Sequence, residues 1–174
     1  MAEQDRIIIE ADGDESDAQK ETKKTVRVLT FSLGTEHYCI NITDAKEVFK
    51  PVFITKVPNT PPFIIGVTNL HGEAVPLIDI RYFLGLQSKE GLASNKVIVT
   101  DILSNVVGVV VDEMGEALDI EEGSIQPPLA TIKGASAAFT KGEVQLGKEI
   151  FVLLDLKKIL SCEALENLKK GVRL

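Results

Sequence analysis

The side chains best suited to catalysis or metal binding are few and widely separated in this chain. There are two histidines, His37 and His71, and two cysteines, Cys39 and Cys162, and no two of them have the C-x-x-C, H-x-H or H-E-x-x-H spacing of a metal site. The glycine-rich phosphate loops and the G-x-S-x-G nucleophile elbow are also missing. We therefore expect no catalytic residues, no metal site and no cofactor.

Three carboxylates deserve a structural interpretation before a catalytic one. Asp79 and Asp155 occupy equivalent places after two apolar runs, which could suggest a catalytic pair, but each precedes a helical pattern and is predicted to be its N-cap. Glu47 follows Asp44 with the spacing of a capping box. The enzymatic alternative is a hydrolase that uses His71 and a carboxylate, and the chain lacks a nucleophile motif for it.

Composition limits the class of partner. The chain has 174 residues, 44% of them hydrophobic, and a formal net charge of −7, which suits one domain with an aliphatic core. Nucleic acid is not an expected partner, because no Lys/Arg face is available to neutralise phosphates. No run approaches the ~20 apolar residues that span a bilayer, so no membrane insertion is expected.

The first 24 residues form a separate zone. Acidic residues dominate it and apolar residues are few, so residues 1–24 are predicted to be a disordered acidic tail. The short run Ile7-Ile8-Ile9 leaves open the alternative that this tail adds a strand to the sheet edge of a neighbour.

The remaining chain repeats itself and predicts an all-β fold. Gly66–Leu70 is echoed about 76 residues later by Gly142–Leu146, and Ile78–Arg81 is echoed by Leu154–Lys157. Two similar strand-rich halves predict two small antiparallel barrels packed side by side, since closure removes exposed strand edges. The polar stretch 87–95 is the predicted connection between them, and the leucine spacing in 155–170 predicts a C-terminal helix.

Four ordered blocks of this sequence resemble one family, the CheW domain. The strongest is N-T-P-P-F-I-I-G-V-T-N-L-H-G at 59–72, with Asp79 and Arg81 after it. The others are 36–48 (with Glu47 and Val48), 96–112 (V-I-V and V-G-V-V-V-D) and I-Q-P-P at 125–128, and together they cover roughly 26–165. The strongest block departs from the family pattern at His71, where the family has arginine.

The resemblance implies a fold and a function. The expected fold is two SH3-like five-stranded β-barrels with a shared hydrophobic seam, within one domain at 25–170. Barrel 1 is placed at approximately 25–86, barrel 2 at approximately 92–154 with some strand exchange, and the helix at 155–170. The implied function is a non-catalytic adaptor that couples chemoreceptors to a CheA-type histidine kinase in bacterial chemotaxis. It would be cytoplasmic and recruited to membrane-bound receptor arrays. The alternative is a divergent module of a non-standard array with altered partner specificity.

The same resemblance implies which residues make these contacts. The chemoreceptor cytoplasmic tip would bind in a groove between the barrels, and the CheW-like regulatory domain of the kinase would bind at pseudo-symmetric barrel ends. The receptor-binding residues implied are Glu47, Val48, Asn69, His71 and Ala117. The kinase-binding residues implied are Ile65, Gly66, Val67, Gln126, Pro127 and Leu129.

Overall fold

The computed structural model of the chain describes residues 23–87, 95–128 and 135–161. Three short helices lie in these ranges: Arg81–Leu84 (α1), Ala135–Ala138 (α2) and Leu156–Leu160 (α3). The strands are Thr25–Leu33 (β1), Glu36–Asn41 (β2), Ala45–Phe49 (β3), Ile64–Leu70 (β4), Glu73–Ile78 (β5), Lys96–Ile102 (β6), Asn105–Val111 (β7), Glu113–Glu121 (β8), Thr140–Leu146 (β9) and Glu149–Leu154 (β10). The first 22 residues of the predicted tail, most of the predicted connection, Leu129 and the helix beyond residue 161 lie outside the described residues.

The strands form two five-stranded sheets, which we name sheet 1 and sheet 2. Sheet 1 has the order β8-β1-β2-β10-β9, and sheet 2 has the order β3-β6-β7-β5-β4. Neighbouring strands run antiparallel except in the pairs β2–β10 and β5–β7, which are parallel. The predicted all-β class is confirmed, and closure of each sheet into a barrel stays a prediction.

The division of the chain between the two sheets does not coincide with the predicted one. Sheet 2 uses the continuous stretch 45–111, whereas sheet 1 combines 25–41 with strands from 113–154. The strand exchange is therefore larger than the predicted boundaries, 25–86 and 92–154, imply. The reason is that four pairings join strands distant in sequence, and such pairings leave no hairpin signal. They are the parallel pairs β2–β10 and β5–β7 and the antiparallel pairs β1–β8 and β3–β6.

The strand orders agree with the internal repeat read from the sequence. Replacing every strand by the one five places away converts the order of sheet 1 into that of sheet 2. The glycines of the repeat have a physical reason, because a Cβ at Gly66 or Gly142 would lie 2.5 Å from the backbone oxygen of Thr55 or Gln126. Only glycine leaves room for the segment that precedes each edge strand.

One large apolar cluster joins the two sheets. It takes side chains from both, among them Phe31 and Ile40 of sheet 1, Ile78 and Ile98 of sheet 2, and Ile159 of α3. Each sheet also has a smaller cluster of its own, around Cys39 in sheet 1 and around Leu77 in sheet 2. The shared cluster is the hydrophobic seam that was expected.

A buried polar cluster lies beside this seam, and we name it the Arg81 cluster. The side chain of Arg81 pairs with Asp79 (Nη1–Oδ1 3.1 Å) and with Asp112 (Nη2–Oδ1 2.6 Å). Asp112 also accepts hydrogen bonds from Asn95 and from the backbone N–H of Gly34. Asp112 lies between β7 of sheet 2 and β8 of sheet 1, and Gly34 lies in the β1–β2 turn, so the cluster ties the sheets together.

The two predicted N-cap aspartates behave differently. Asp155 caps α3 as expected, because its Oδ1 accepts the backbone N–H of Lys158 at 3.2 Å. Asp79 accepts the backbone N–H of Arg81 at 3.0 Å but is mainly the buried partner of the Arg81 guanidinium. Burial alone would lower the pKa of Arg81, and the hydrogen bonds and charges of Asp112 and Asp79 outweigh it and raise that pKa.

Candidate protein-interaction site

The structure brings two of the receptor-binding residues implied by the resemblance into direct contact. Nε2 of His71 lies 3.1 Å from Oε1 of Glu47, at the surface of sheet 2. Glu47 lies in β3, so the predicted capping box from Asp44 to Glu47 is wrong: the described backbone makes one 3₁₀ turn at Ile42–Asp44 and then extends. The β3–β6 pairing overrides the local capping signal.

The β4–β5 turn fixes the position of His71. His71 and Gly72 both have positive φ, +51° and +86°, which is the backbone of a two-residue hairpin turn. Oδ1 of Asn69 accepts the backbone N–H of Gly72 at 3.1 Å and so stabilises the turn. Histidine is among the residues that adopt this left-handed conformation most readily. Asn69 therefore stabilises the turn, although the residue is exposed to solvent.

A cavity of about 200 Å³ opens beside the His71–Glu47 pair, and we name it the sheet-2 cavity. Its apolar lining comes from Leu70, Val75, Val99 and Val106. Lys46, Glu47, His71 and Glu73 contribute the polar part of the lining. Such a site can bury an apolar side chain of a partner and orient it with charged groups.

The other two receptor-binding residues implied by the resemblance occupy equivalent positions on the two sheets. Val48 lies in β3 opposite Ile98 of β6, and Ala117 lies in β8 opposite Leu29 of β1. β3 and β6 are the counterparts of β8 and β1 in the repeat, and each of β3 and β8 ends the strand order of its sheet. Val48 is 42% exposed and Ala117 is half-buried.

The residues implied as kinase-binding lie at corresponding ends of the two sheets, on the last strand in sheet 2 and on the segment that precedes the last strand in sheet 1. Ile65, Gly66 and Val67 lie in β4, the last strand in the order of sheet 2. Gln126 and Pro127 precede β9, which has the same place in sheet 1, and both are exposed. The backbones of Thr55 and Val67 exchange hydrogen bonds of 2.8 Å, and those of Gln126 and Glu143 exchange bonds of 2.7 and 2.8 Å. Leu129 lies outside the described residues.

Comparisons with known proteins show the family of the chain. The family model described as "CheW-like domain" matches residues 27–164. The chain belongs to the CheW-like family. It is 36% identical to the chemotaxis protein CheW of Klebsiella aerogenes over 135 residues, which are 78% of this chain and 81% of that protein. It is 31% identical to protein FrzA of Myxococcus xanthus, with 72% of this chain and 84% of that protein covered.

A solved structure supports the same assignment. The crystal structure of the scaffolding protein TtCheW from Thermoanaerobacter tengcongensis superposes with a TM-score of 0.71 at 31% identity, over 81% of this chain and 96% of that one. The predicted family is confirmed, and CheW homologues support a part for this chain in chemotaxis signalling. Among the described residues, no helix is long and apolar enough to cross a membrane.

Reasoning from the sequence missed the Arg81 cluster and a second cavity on sheet 1. For the Arg81 cluster, the sequence contains Asp79-x-Arg81 and, in a later block, Asp112. No local pattern indicates that these three side chains are in contact. The second cavity is lined by His37, Glu149 and Phe151 among others, which come from β2 and β10. Those strands pair in parallel, so no short motif contains these residues together.

Proposed function

We propose that this chain is a non-catalytic adaptor that couples chemoreceptors to a CheA-type histidine kinase in bacterial chemotaxis. The observation that carries the proposal is the His71–Glu47 pair beside the apolar sheet-2 cavity, within a CheW-like fold. A polar pair at the surface next to an apolar cavity suits protein recognition, where a buried anchor supplies affinity and polar groups supply orientation.

The receptor tip contacts Glu47, Val48 and His71, with Asn69 holding the turn and Ala117 contributing from sheet 1. The receptor would thereby touch both sheets at equivalent positions. The CheW-like regulatory domain of the kinase contacts Ile65–Val67 in the first half of the chain and Gln126, Pro127 and Leu129 in the second half. The protein works in the cytoplasm and is recruited to membrane-bound receptor arrays through these contacts.

A second candidate is favoured by one specific observation. His71 stands where the resembled pattern has arginine, and imidazole lacks the permanent charge and the bidentate fork of a guanidinium. This chain would then serve a divergent chemosensory array with altered partner specificity, whose receptors accept a weaker contact at this position.

The two partner surfaces can be separated by paired variants. Glu47→Ala should lose receptor binding in a pull-down with receptor cytoplasmic fragments and keep kinase binding, whereas Val67→Glu should show the reverse. Leu103→Ser is the matched control, because Leu103 is a 61% exposed apolar residue in the β6–β7 turn. A kinase-activation assay with receptor fragments then tests coupling. If the unaltered chain binds neither partner and leaves kinase activity unchanged, the adaptor function is wrong.

A further inference from the structure

The cavity on sheet 1, with a volume of about 220 Å³, is the repeat counterpart of the sheet-2 cavity. Phe151 lines it in the place of Val75, and Glu149 in the place of Glu73, each 76 residues later in the chain. His37 has the place that Val106 has in the sheet-2 cavity. The same site therefore exists twice in the fold, with different chemistry.

The sheet-1 cavity combines an apolar lining with an acidic rim. Phe31, Met114 and Phe151 provide the apolar part, and Glu113 and Glu149 provide exposed carboxylates. The His37 ring lies 5.1 Å from the Phe151 ring, and its Nε2 lies 3.6 Å from Oε1 of Glu149. Because a cavity of ~150 Å³ can hold benzene, this one has room for an aromatic side chain. Its best ligand is an apolar side chain with a cation nearby.

The chain itself carries a segment with that chemistry, in the loop between β3 and β4. Val52 and Phe53 are 85% and 82% exposed, the largest exposed fractions among the large hydrophobic residues described. Lys50 and Lys56 flank them and are exposed, and residues 48–62 contain no aspartate or glutamate. We name residues 50–56 the basic tip.

Hydrogen bonds from β4 to the backbone of the basic tip hold it in place. The hydroxyl of Thr68 donates a 2.7 Å hydrogen bond to the carbonyl oxygen of Phe53. Two residues later, Thr55 exchanges backbone hydrogen bonds of 2.8 Å with Val67 in β4. A segment that is already ordered loses little conformational entropy on binding, so exposed apolar side chains on it are suited to docking.

We propose that the basic tip of one copy docks in the sheet-1 cavity of a second copy. Phe53 enters the apolar lining, and Lys50 and Lys56 lie beside Glu113 and Glu149. The two contributing surfaces are different, so the contact is head-to-tail and each copy keeps a tip or a cavity for a further copy. One tip in one cavity is smaller than a standard interface, so the association is weak and depends on concentration and on salt.

The first test is sedimentation velocity of the full chain alone, from about 5 to about 500 μM, a range suited to a weak contact. The weight-average sedimentation coefficient should rise with concentration and fall again when salt is added. Phe53→Ser should abolish the rise, whereas Leu103→Ser, which also removes an exposed apolar side chain, should preserve it. A coefficient that stays monomeric throughout, or that rises equally in Phe53→Ser, overturns the proposal.

The second test exploits the head-to-tail geometry. Reversing the tip charges (Lys50→Glu with Lys56→Glu) or the cavity charges (Glu113→Lys with Glu149→Lys) should each weaken association by ~10-fold or more. A mixture of the two variants should associate again, because the cavity of the first matches the tip of the second. If the mixture stays monomeric while the unaltered chain associates, this pairing of tip with cavity is wrong. Neither test contains a receptor or kinase, so failure here leaves the adaptor function untouched.

Discussion

Replacing Arg81 with methionine tests whether the Arg81 cluster holds the two sheets together. The substitution keeps an unbranched side chain of similar length and removes the charge and all the N–H donors. Arg81 is 2% exposed, and its guanidinium pairs at 3.1 Å with Asp79 and at 2.6 Å with Asp112. Both carboxylates would lose their cation at a site where water cannot replace it fully.

The expected loss is large because the pair is buried. Removing one partner of a buried ion pair costs about 3 to 5 kcal/mol of the free energy of unfolding. For a domain of this length each kcal/mol corresponds to roughly 2 to 4 °C, so Tm should fall by roughly 6 to 20 °C.

The assay is urea unfolding at pH 7, followed by circular dichroism. Lys157→Met is the matched control, because Lys157 has the place of Arg81 in the second half of the repeat and its side chain is exposed. We expect it to change the free energy of unfolding by less than about 0.5 kcal/mol. If Arg81→Met costs no more than Lys157→Met at pH 7, the cluster does not stabilise the seam and the reasoning fails.

Three further predictions concern other parts of the chain. His71→Arg should raise affinity for receptor cytoplasmic fragments, because a guanidinium carries a permanent charge and can pair with the Glu47 carboxylate through two N–H donors; equal affinities of the two forms in titration calorimetry would leave His71 without a role. Deleting residues 1–22 should lower Tm by less than ~4 °C, because the composition of this predicted tail provides few apolar side chains that folding could bury; a larger drop in a thermal melt would mean that the segment is docked. Burial raises the pKa of the Cys39 thiol to about 12, so in a Cys162→Ser background Cys39 should resist a thiol reagent at pH 8 until urea unfolds the chain. Equally fast labelling of the native chain would contradict its burial.

Much of the fold could be predicted from local signals. The apolar runs on either side of His71-Gly72 predict a hairpin, and the structure forms β4 and β5 there with a two-residue turn. The glycine at 66 and its echo at 142 predict a repeat, and both have the same steric cause. Asp155 has the capping role expected from its place before a helical pattern.

The rest depends on pairings that leave no local signal. β2 and β10 lie side by side although about 110 residues separate them, so the true composition of the sheets could not be derived from hairpins. The Asp44–Glu47 spacing predicts the start of a helix. The backbone from Ala45 onward is a strand instead, because it pairs with β6. The resemblance implied that Glu47 and His71 belong to one receptor-binding surface, whereas the cavity beside them depends on side chains from five strands.

The exchange of strands between the halves bears on how such a chain could transmit a signal. Because β1 and β2 pair with strands from the end of the chain, the two halves of the sequence cannot separate without breaking ladder hydrogen bonds of sheet 1. The shared apolar cluster and the Arg81 cluster add side-chain contacts at the same seam. A partner bound at the edge of sheet 2 therefore acts on a body that is continuous with sheet 1. The repeat gives each partner surface a counterpart, and divergence of the duplicated sites, from valines in one cavity to Phe151 and His37 in the other, lets one fold offer distinct chemistry on its two sheets.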